Sequence, residues 1–342
     1  MAKQSMTYAG DYASKSMLGV AIITATVIAA QILPSGSRAA PATSHALSVP
    51  PSSAFQQYWK SGLAELTSYA ITVERYGELR KAQGMMVFVY EEINSDTRIK
   101  VESERTPASK RVPVLKLNNI LKFNTGVYDY SVMTSVFAGL TGPGSLRPFP
   151  PQKISFTSQE WCGQVFHQIV PRSNGLYSEI HSYFEAEGDA IGTLPYPKNR
   201  NGIPAAIYYE DEMPILVREL DGDVLPVGTP RRFNMVPGLW ERRKRHAPLA
   251  FANAVLTKVG PEKIRIAGKE TEAIKWTLEI SGLSTTYHVE SAPPRRLLAW
   301  ENGKGEKGEM IASIRNTYWK HNHGIDQPLR KQLGLTYGVE DK

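Results

Sequence analysis

A mainly β fold, one large curved antiparallel sheet with a few short helices, follows from three features of this 342-residue chain. Six Trp and sixteen Tyr favour sheets over a helical bundle. Polar and apolar residues alternate in several segments, most plainly over 275–280, where Trp276, Leu278 and Ile280 oppose Lys275, Thr277 and Glu279. Stretches containing Gly, Pro or Asn separate these segments, as in a series of hairpins. The 42% hydrophobic and 21% charged content suits a packed core rather than disorder.

The elements follow in order. Residues 54–68 put Phe55, Tyr58, Trp59 and Leu63 on one side of a helix. "SYAITVERYGE" and "GMMVFVYEEI" read as a hairpin connected by the polar "ELRKAQG". "DTRIKVESE" reads as a third strand and "VPVLKLNNILKFNTG" as a fourth. "YDYSVMTSVFAGL" fits a strand by composition, yet Tyr130, Met133, Val136 and Phe137 also share a helical face. "TGPGSLRPFPPQ" is a loop. "KISFTSQEWCGQVFHQIVP" reads as one long strand with Gly163, Val165, His167 and Ile169 opposite Cys162, Gln164, Phe166 and Gln168. Asn174-Gly175 joins it to "LYSEIHSYFEAEGD" as a tight hairpin. "PYPKNRNGIP" is a loop, and "EDEMPILVREL" is a short helix with acids at its start and Pro214 in its first turn. From about Ala254 a regular antiparallel meander runs to about residue 320. The body thus spans 54–320, with sub-boundaries near 142–151 and 222–250, and 321–342 forms a peripheral tail.

Residues 17–33 are uncharged and follow Lys3 and Lys15; a stretch rich in small residues comes next. This is the layout of a secretory signal, with Ser37-Arg38-Ala39 and Ser44-His45-Ala46 as cleavage candidates. The competing reading is a retained membrane anchor over the same 17 residues, at the lower edge of spanning length. Either reading of 1–46, with 47–53 as linker, places the body outside the cytoplasm, in the periplasm or envelope. No cysteine follows the apolar run, which excludes a lipoprotein anchor. The net charge of +7 is spread along the chain and comes with no nucleic-acid-binding module, so no nucleic-acid partner is expected.

Chemistry-bearing groups are few. Cys162 is the only cysteine, which rules out an intrachain disulfide. A thiol nucleophile needs a base within hydrogen-bond reach. In an extended strand His167 lies about 17 Å away and on the other face, which leaves His288 or His323 to approach from elsewhere. "ERRKRH", residues 241–246, is the one basic cluster: either a contact for anionic headgroups or, the favoured reading, a solvated loop. His321 and His323 would share one side of a strand, but a metal site needs a third ligand, and none is near in sequence. No P-loop, dinucleotide fingerprint or Gly-x-Ser-x-Gly elbow is present. No metal or cofactor is expected.

The C-terminal meander, with Tyr287, Val289, Glu290, Pro294, Arg296, Leu297, Leu298 and Trp300, resembles exported bacterial proteins of the LolA/LolB-like type. "EDEMPILVREL" is similar to the short helix that precedes the meander in such proteins. "YGELRKAQGMMVFVYEE", "VLKLNNILKFNTGVYDYSVMTSVF" and "SQEWCGQVF" resemble uncharacterised exported bacterial proteins in which they occur together; the likeness spans residues 55–320. It implies a half-barrel sheet around an apolar groove, partly lidded by helices, and lipid or acyl-chain binding. Phe88, Tyr90, Phe166, Trp276 and Trp300 are the candidates to line that groove. The expectation is a non-enzymatic envelope protein with a lipid or acyl-chain ligand. The alternatives are an envelope scaffold with a protein partner and a thiol hydrolase using Cys162.

Overall fold

A computed structural model describes residues 51–140, 149–198 and 205–336. The signal or anchor over 1–46, most of the linker, and most of the loop after Leu140 lie outside these residues.

Two meanders meet to make one sheet. The first comprises β1 (Ala64–Arg75), β2 (Glu78–Asn94), β3 (Arg111–Thr125), β4 (Tyr128–Gly139), β5 (Pro151–Glu160), β6 (Gly163–Arg172), β7 (Gly175–Ser182) and β8 (Ala190–Pro195). The second comprises β11 (Ala252–Ile266), β12 (Lys269–Ile280), β13 (Leu283–Glu290), β14 (Leu297–Asn302) and β15 (Lys307–Asn316). β1 pairs antiparallel with β15, which joins the two. β9 (Ile207–Tyr209) and β10 (Pro230–Val236) extend the second meander beyond β11, paired in parallel with each other. The order is β8-β7-β6-β5-β4-β3-β2-β1-β15-β14-β13-β12-β11-β10-β9. The terminal strands β8 and β9 do not pair, so this curved half-barrel stays open.

Period-two alternation sets the two faces. On β3, Leu115, Leu117, Leu121 and Phe123 turn toward the main core. On β2, Met86 and Phe88 face that core, while Met85, Val87 and Val89 face outward. The outward patch is covered from the C-terminal end. After β15 the chain forms α4 (Pro328–Gln332), and Leu333 packs beside Ala64, Leu66 and Val87. The end of the tail, Leu333 with Leu335 beside it, is therefore seated on the outer face, while residues 321–325 stay exposed. A helix α1 (Ser53–Trp59) buries Phe55 and Trp59, with Ser52 accepting the Phe55 N–H at 3.2 Å as its cap.

Several expectations change. The first helix stops at Trp59, because residues from Ala64 on join the sheet. "ELRKAQG" is strand: the β1–β2 turn is Tyr76-Gly77, and the polar residues continue the long β2. "DTRIKVESE" makes only an isolated bridge, Ile93 with Lys100. "YDYSVMTSVFAGL" resolves as β4, because neighbours on both sides supply ladder bonds. "KISFTSQEWCGQVFHQIVP" is a hairpin, with Trp161-Cys162 as a two-residue turn between β5 and β6. The alternation read for β6 holds, since Val165, His167 and Ile169 are all buried. His321 and His323 lie between two 3₁₀ turns, with His321 Nδ1 3.1 Å from Asp326. No group of three His, Cys, Asp or Glu among the described residues is arranged to hold a metal.

Candidate functional site

The concave face is largely filled. Residues 205–251 return over it as a plug that carries the 3₁₀ turn Glu210–Glu212, α2 (Met213–Leu216) and α3 (Leu239–Arg245). The helix read into "EDEMPILVREL" is present as the first two of these. Met213, Ile215, Leu216, Val217 and Leu239 are each buried to 1% exposure or less. The plug leaves the sheet at β9 and β10, yet its 3₁₀ turn and α3 pack against β4 on the other half. The sheet can bridge that separation only by curling around the plug.

Charged anchors fix the plug. Arg218 donates to both oxygens of Glu65 at 2.8 and 2.9 Å, and its Nε donates to the Arg295 carbonyl at 2.8 Å. Both side chains of this pair are sealed from solvent, at 0% and 1% exposure. Two parallel bonds, with Tyr58 Oη donating to Glu65 at 2.9 Å, offset the desolvation of the two charges. Lys258 donates to Glu219 at 2.7 Å. Arg242 donates to His167 Nδ1 at 2.9 Å and to the carbonyls of Ala247 and Pro248. His167 Nε2 in turn donates to Ser178 at 2.8 Å. Burial, then the Arg242 charge, push His167 down to about 3, so the imidazole is neutral and free to accept at Nδ1.

Between plug and sheet lie a cavity of about 350 Å³ beside β6–β8 and, nearer the β1–β15 seam, one of about 190 Å³. Ile71, Val73, Met86 and Leu121 wall it from β1–β3, Tyr287, Leu297 and Trp300 from β13 and β14, and Trp240 from α3. Trp300 lies across the backbone of Gly308, where an added Cβ would sit 2.2 Å from its ring. It also meets Tyr69 edge-on at 4.9 Å. The polar wall is acidic: Glu210, Asp211, Glu241 and Glu306. Glu210 accepts the Gly238 N–H at 2.8 Å, and Asp211 accepts the Leu239 N–H at 3.0 Å, so both cap the start of α3. Burial nonetheless pushes Glu210 up to about 7 and Asp211 up to about 6.

The five aromatic candidates do not gather. Trp300 lines this cavity. Trp276 is fully buried on a smaller one, of about 80 Å³, with Lys258 5.7 Å over its ring. Phe88 is core, between Trp59 at 6.1 Å and the Arg218 guanidinium at 4.6 Å. Tyr90 is half-buried under Lys60. Phe166 sits on the outward face of β6, stacked on His181, because its neighbours Val165 and His167 take the inner face. Sequence reading missed Trp240, Glu210 and Asp211 as cavity walls. The acids carried a signal, the helix start, but their pairing with "PGL" at 237–239 is a tertiary contact.

"ERRKRH" is not a solvated loop but α3, with Arg242 and Arg243 buried. Lys244 pairs with Glu241 and Glu306, and Arg243 lies 3.2 Å from Glu187. Cys162 is exposed at its turn. A hydrogen bond to Glu160, followed by burial and the Glu160 charge, pushes its thiol up, opposite to what a nucleophile needs. No family model, curated protein or solved structure matches the chain.

Proposed function

We propose that the protein is a non-enzymatic, exported envelope protein that holds the acyl chain of an uncharged amphiphile between half-barrel and plug. The cavity of about 190 Å³, with apolar walls from both halves of the sheet, carries this reading. It is smaller than the roughly 300–1,000 Å³ of sites that enclose a drug-sized ligand, so it suits one chain segment with the head outside. Burial of that segment supplies the affinity. Glu210 and Asp211, the two acids of this wall without a basic partner, disfavour a fatty-acid carboxylate beside them and favour an ester, hydroxyl or amide head.

The test is titration with a fluorescent monoacylglycerol analogue. Wild-type protein binds it saturably, an unlabelled monoacylglycerol displaces it, and the free fatty acid of equal length displaces it poorly. Leu121→Trp, which fills the half-buried wall of β3, lowers affinity at least tenfold. Absence of saturable binding, or equal binding by Leu121→Trp, sinks the reading.

An envelope scaffold is favoured by one feature. Among the described residues β8 is a terminal strand; its sequence, "AIGTLP", carries no charge and exposes Ile191. Such an edge can accept a partner's strand.

A further inference from the structure

A second cavity, of about 380 Å³, opens where the β1–β2 turn, the β5–β6 turn and the end of α3 converge. Its charged walls are Arg75, Arg243, Lys244, Arg245 and Lys304, against Glu74, Glu160 and Glu241. The acids are already engaged. Glu74 accepts the Gly77 N–H at 2.9 Å, and Glu160 accepts the Cys162 N–H at 2.6 Å and pairs with Arg243 at 3.6 Å. Glu241 pairs with Lys244 and Arg245.

Arg75 is the exception to this balance. It is 7% exposed, yet no carboxylate among the described residues lies within 4 Å of it. Its partners are neutral: Tyr130 Oη at 3.2 Å, Tyr76 Oη at 3.1 Å and the Lys244 carbonyl at 3.2 Å. These use three of the five N–H groups of a guanidinium. A buried cation without a carboxylate partner is costly, and the Tyr76 and Tyr130 rings, 4.1 and 5.5 Å from the guanidinium, offset only part of that cost. Arg243 is 4% exposed and, unlike Arg75, pairs with carboxylates, Glu160 at 3.6 Å and Glu187 at 3.2 Å, yet its Nε has no hydrogen-bond partner. Two buried guanidinium groups on one cavity thus keep spare donors.

The β1–β2 turn brings a tyrosine to the same group. Tyr76 has φ 58°, in a turn whose next residue, Gly77, has φ 77°. Both central residues of such a hairpin turn need positive φ, which favours Asn or Gly over a tyrosine. The strained tyrosine places its ring 4.1 Å from the Arg75 guanidinium and its hydroxyl 2.8 Å from Tyr130. The same backbone pair recurs at Ala267-Gly268 and Ser281-Gly282, so what sets Tyr76 apart is its contact with Arg75.

We infer that this cavity binds a phosphate monoester, its oxygens taken by Arg75 and Arg243 and its charge completed by Lys304 and Arg245 at the rim. Guanidinium forks match a tetrahedral oxyanion. A volume of about 380 Å³ leaves room for an organic substituent beside Phe184 and Tyr76. This site is separate from the acyl cavity and stands or falls without it.

The phosphate comes either from a free metabolite or from a lipid headgroup. Calorimetry with glycerol 3-phosphate, and flotation with neutral vesicles carrying phosphatidic acid, distinguish the two sources. Saturable binding to at least one probe is expected, weakened by added salt. Arg75→Gln lowers affinity at least tenfold. Tyr76→Asn, which suits the turn and so protects folding, lowers it several-fold, as does Lys304→Gln at the rim. Binding of the free ester assigns a metabolite, and binding of vesicles alone assigns a headgroup. No saturable binding of either probe, or unchanged affinity in folded Tyr76→Asn and Lys304→Gln, overturns the site.

Discussion

His167, Glu210 and Asp211 respond to pH in opposite senses. His167 titrates at about 3 in the fold against an ordinary 6.5. Unfolded chains take up its proton first, so its contribution is complete above pH 6.5 and is lost as the pH falls toward 3. Glu210 and Asp211 titrate at about 7 and about 6, above the ordinary 4.5 and 3.8. The native state takes up their protons first, so their contribution is complete below pH 3.8 and is lost as the pH rises through 7. His167→Gln keeps an acceptor for Arg242 and a donor for Ser178. It should flatten the decline in stability between pH 6.5 and 3. The pair Glu210→Gln and Asp211→Asn should remove the loss of stability between pH 3.8 and 7, the span from the lower ordinary value to the higher folded one. Urea denaturation across a pH series reads both slopes. Slopes that match wild type in both variants contradict these assignments.

The plug is the element on which the site depends, and Arg218–Glu65 is its central anchor. Arg218→Met or Glu65→Leu alone leaves a buried charge without its partner, and each should cost about 3–5 kcal/mol in urea denaturation. The double variant should recover most of that loss, because neither charge then remains to be desolvated. Additive costs in the double variant would show that the two side chains act independently. At this scale sequence and structure agree unevenly. The meander from Ala254 onward was legible because each strand alternates in period two and ends at a turn residue. The hairpin at Trp161-Cys162 was not, because neither turn residue is a Gly, Pro, Asn or Asp, and the flanking apolar pattern runs on without interruption. "ERRKRH" looked like solvated charge because its partners, Glu187 and Glu306, lie 56 and 62 residues away in sequence from Arg243 and Lys244. Arg75 was invisible for the same reason: a missing counter-ion is a property of the fold, not of a segment.

For the whole molecule, a half-barrel can be an open carrier or a packed scaffold, and this chain lies between the two. Its own residues 205–251 occupy most of the concave face, and charged groups hold them there. Beside them lies a cavity of about 190 Å³ whose apolar walls come from strands at both sides of the β1–β15 seam. The Trp300 wall was legible through the alternation of the C-terminal meander, whereas Trp240 belongs to the plug that closes the groove. Phe88 and Phe166 fell elsewhere because burial, not aromatic content, decides which face a side chain serves. The most direct measurement is native mass spectrometry of the protein purified without detergent, compared with Leu121→Trp. Wild-type protein should carry an extra mass that solvent extraction identifies as an uncharged acyl amphiphile, and the filled variant should lack it. Bare wild-type protein that also fails to take up added monoacylglycerol, or equal occupancy in both proteins, would contradict the account.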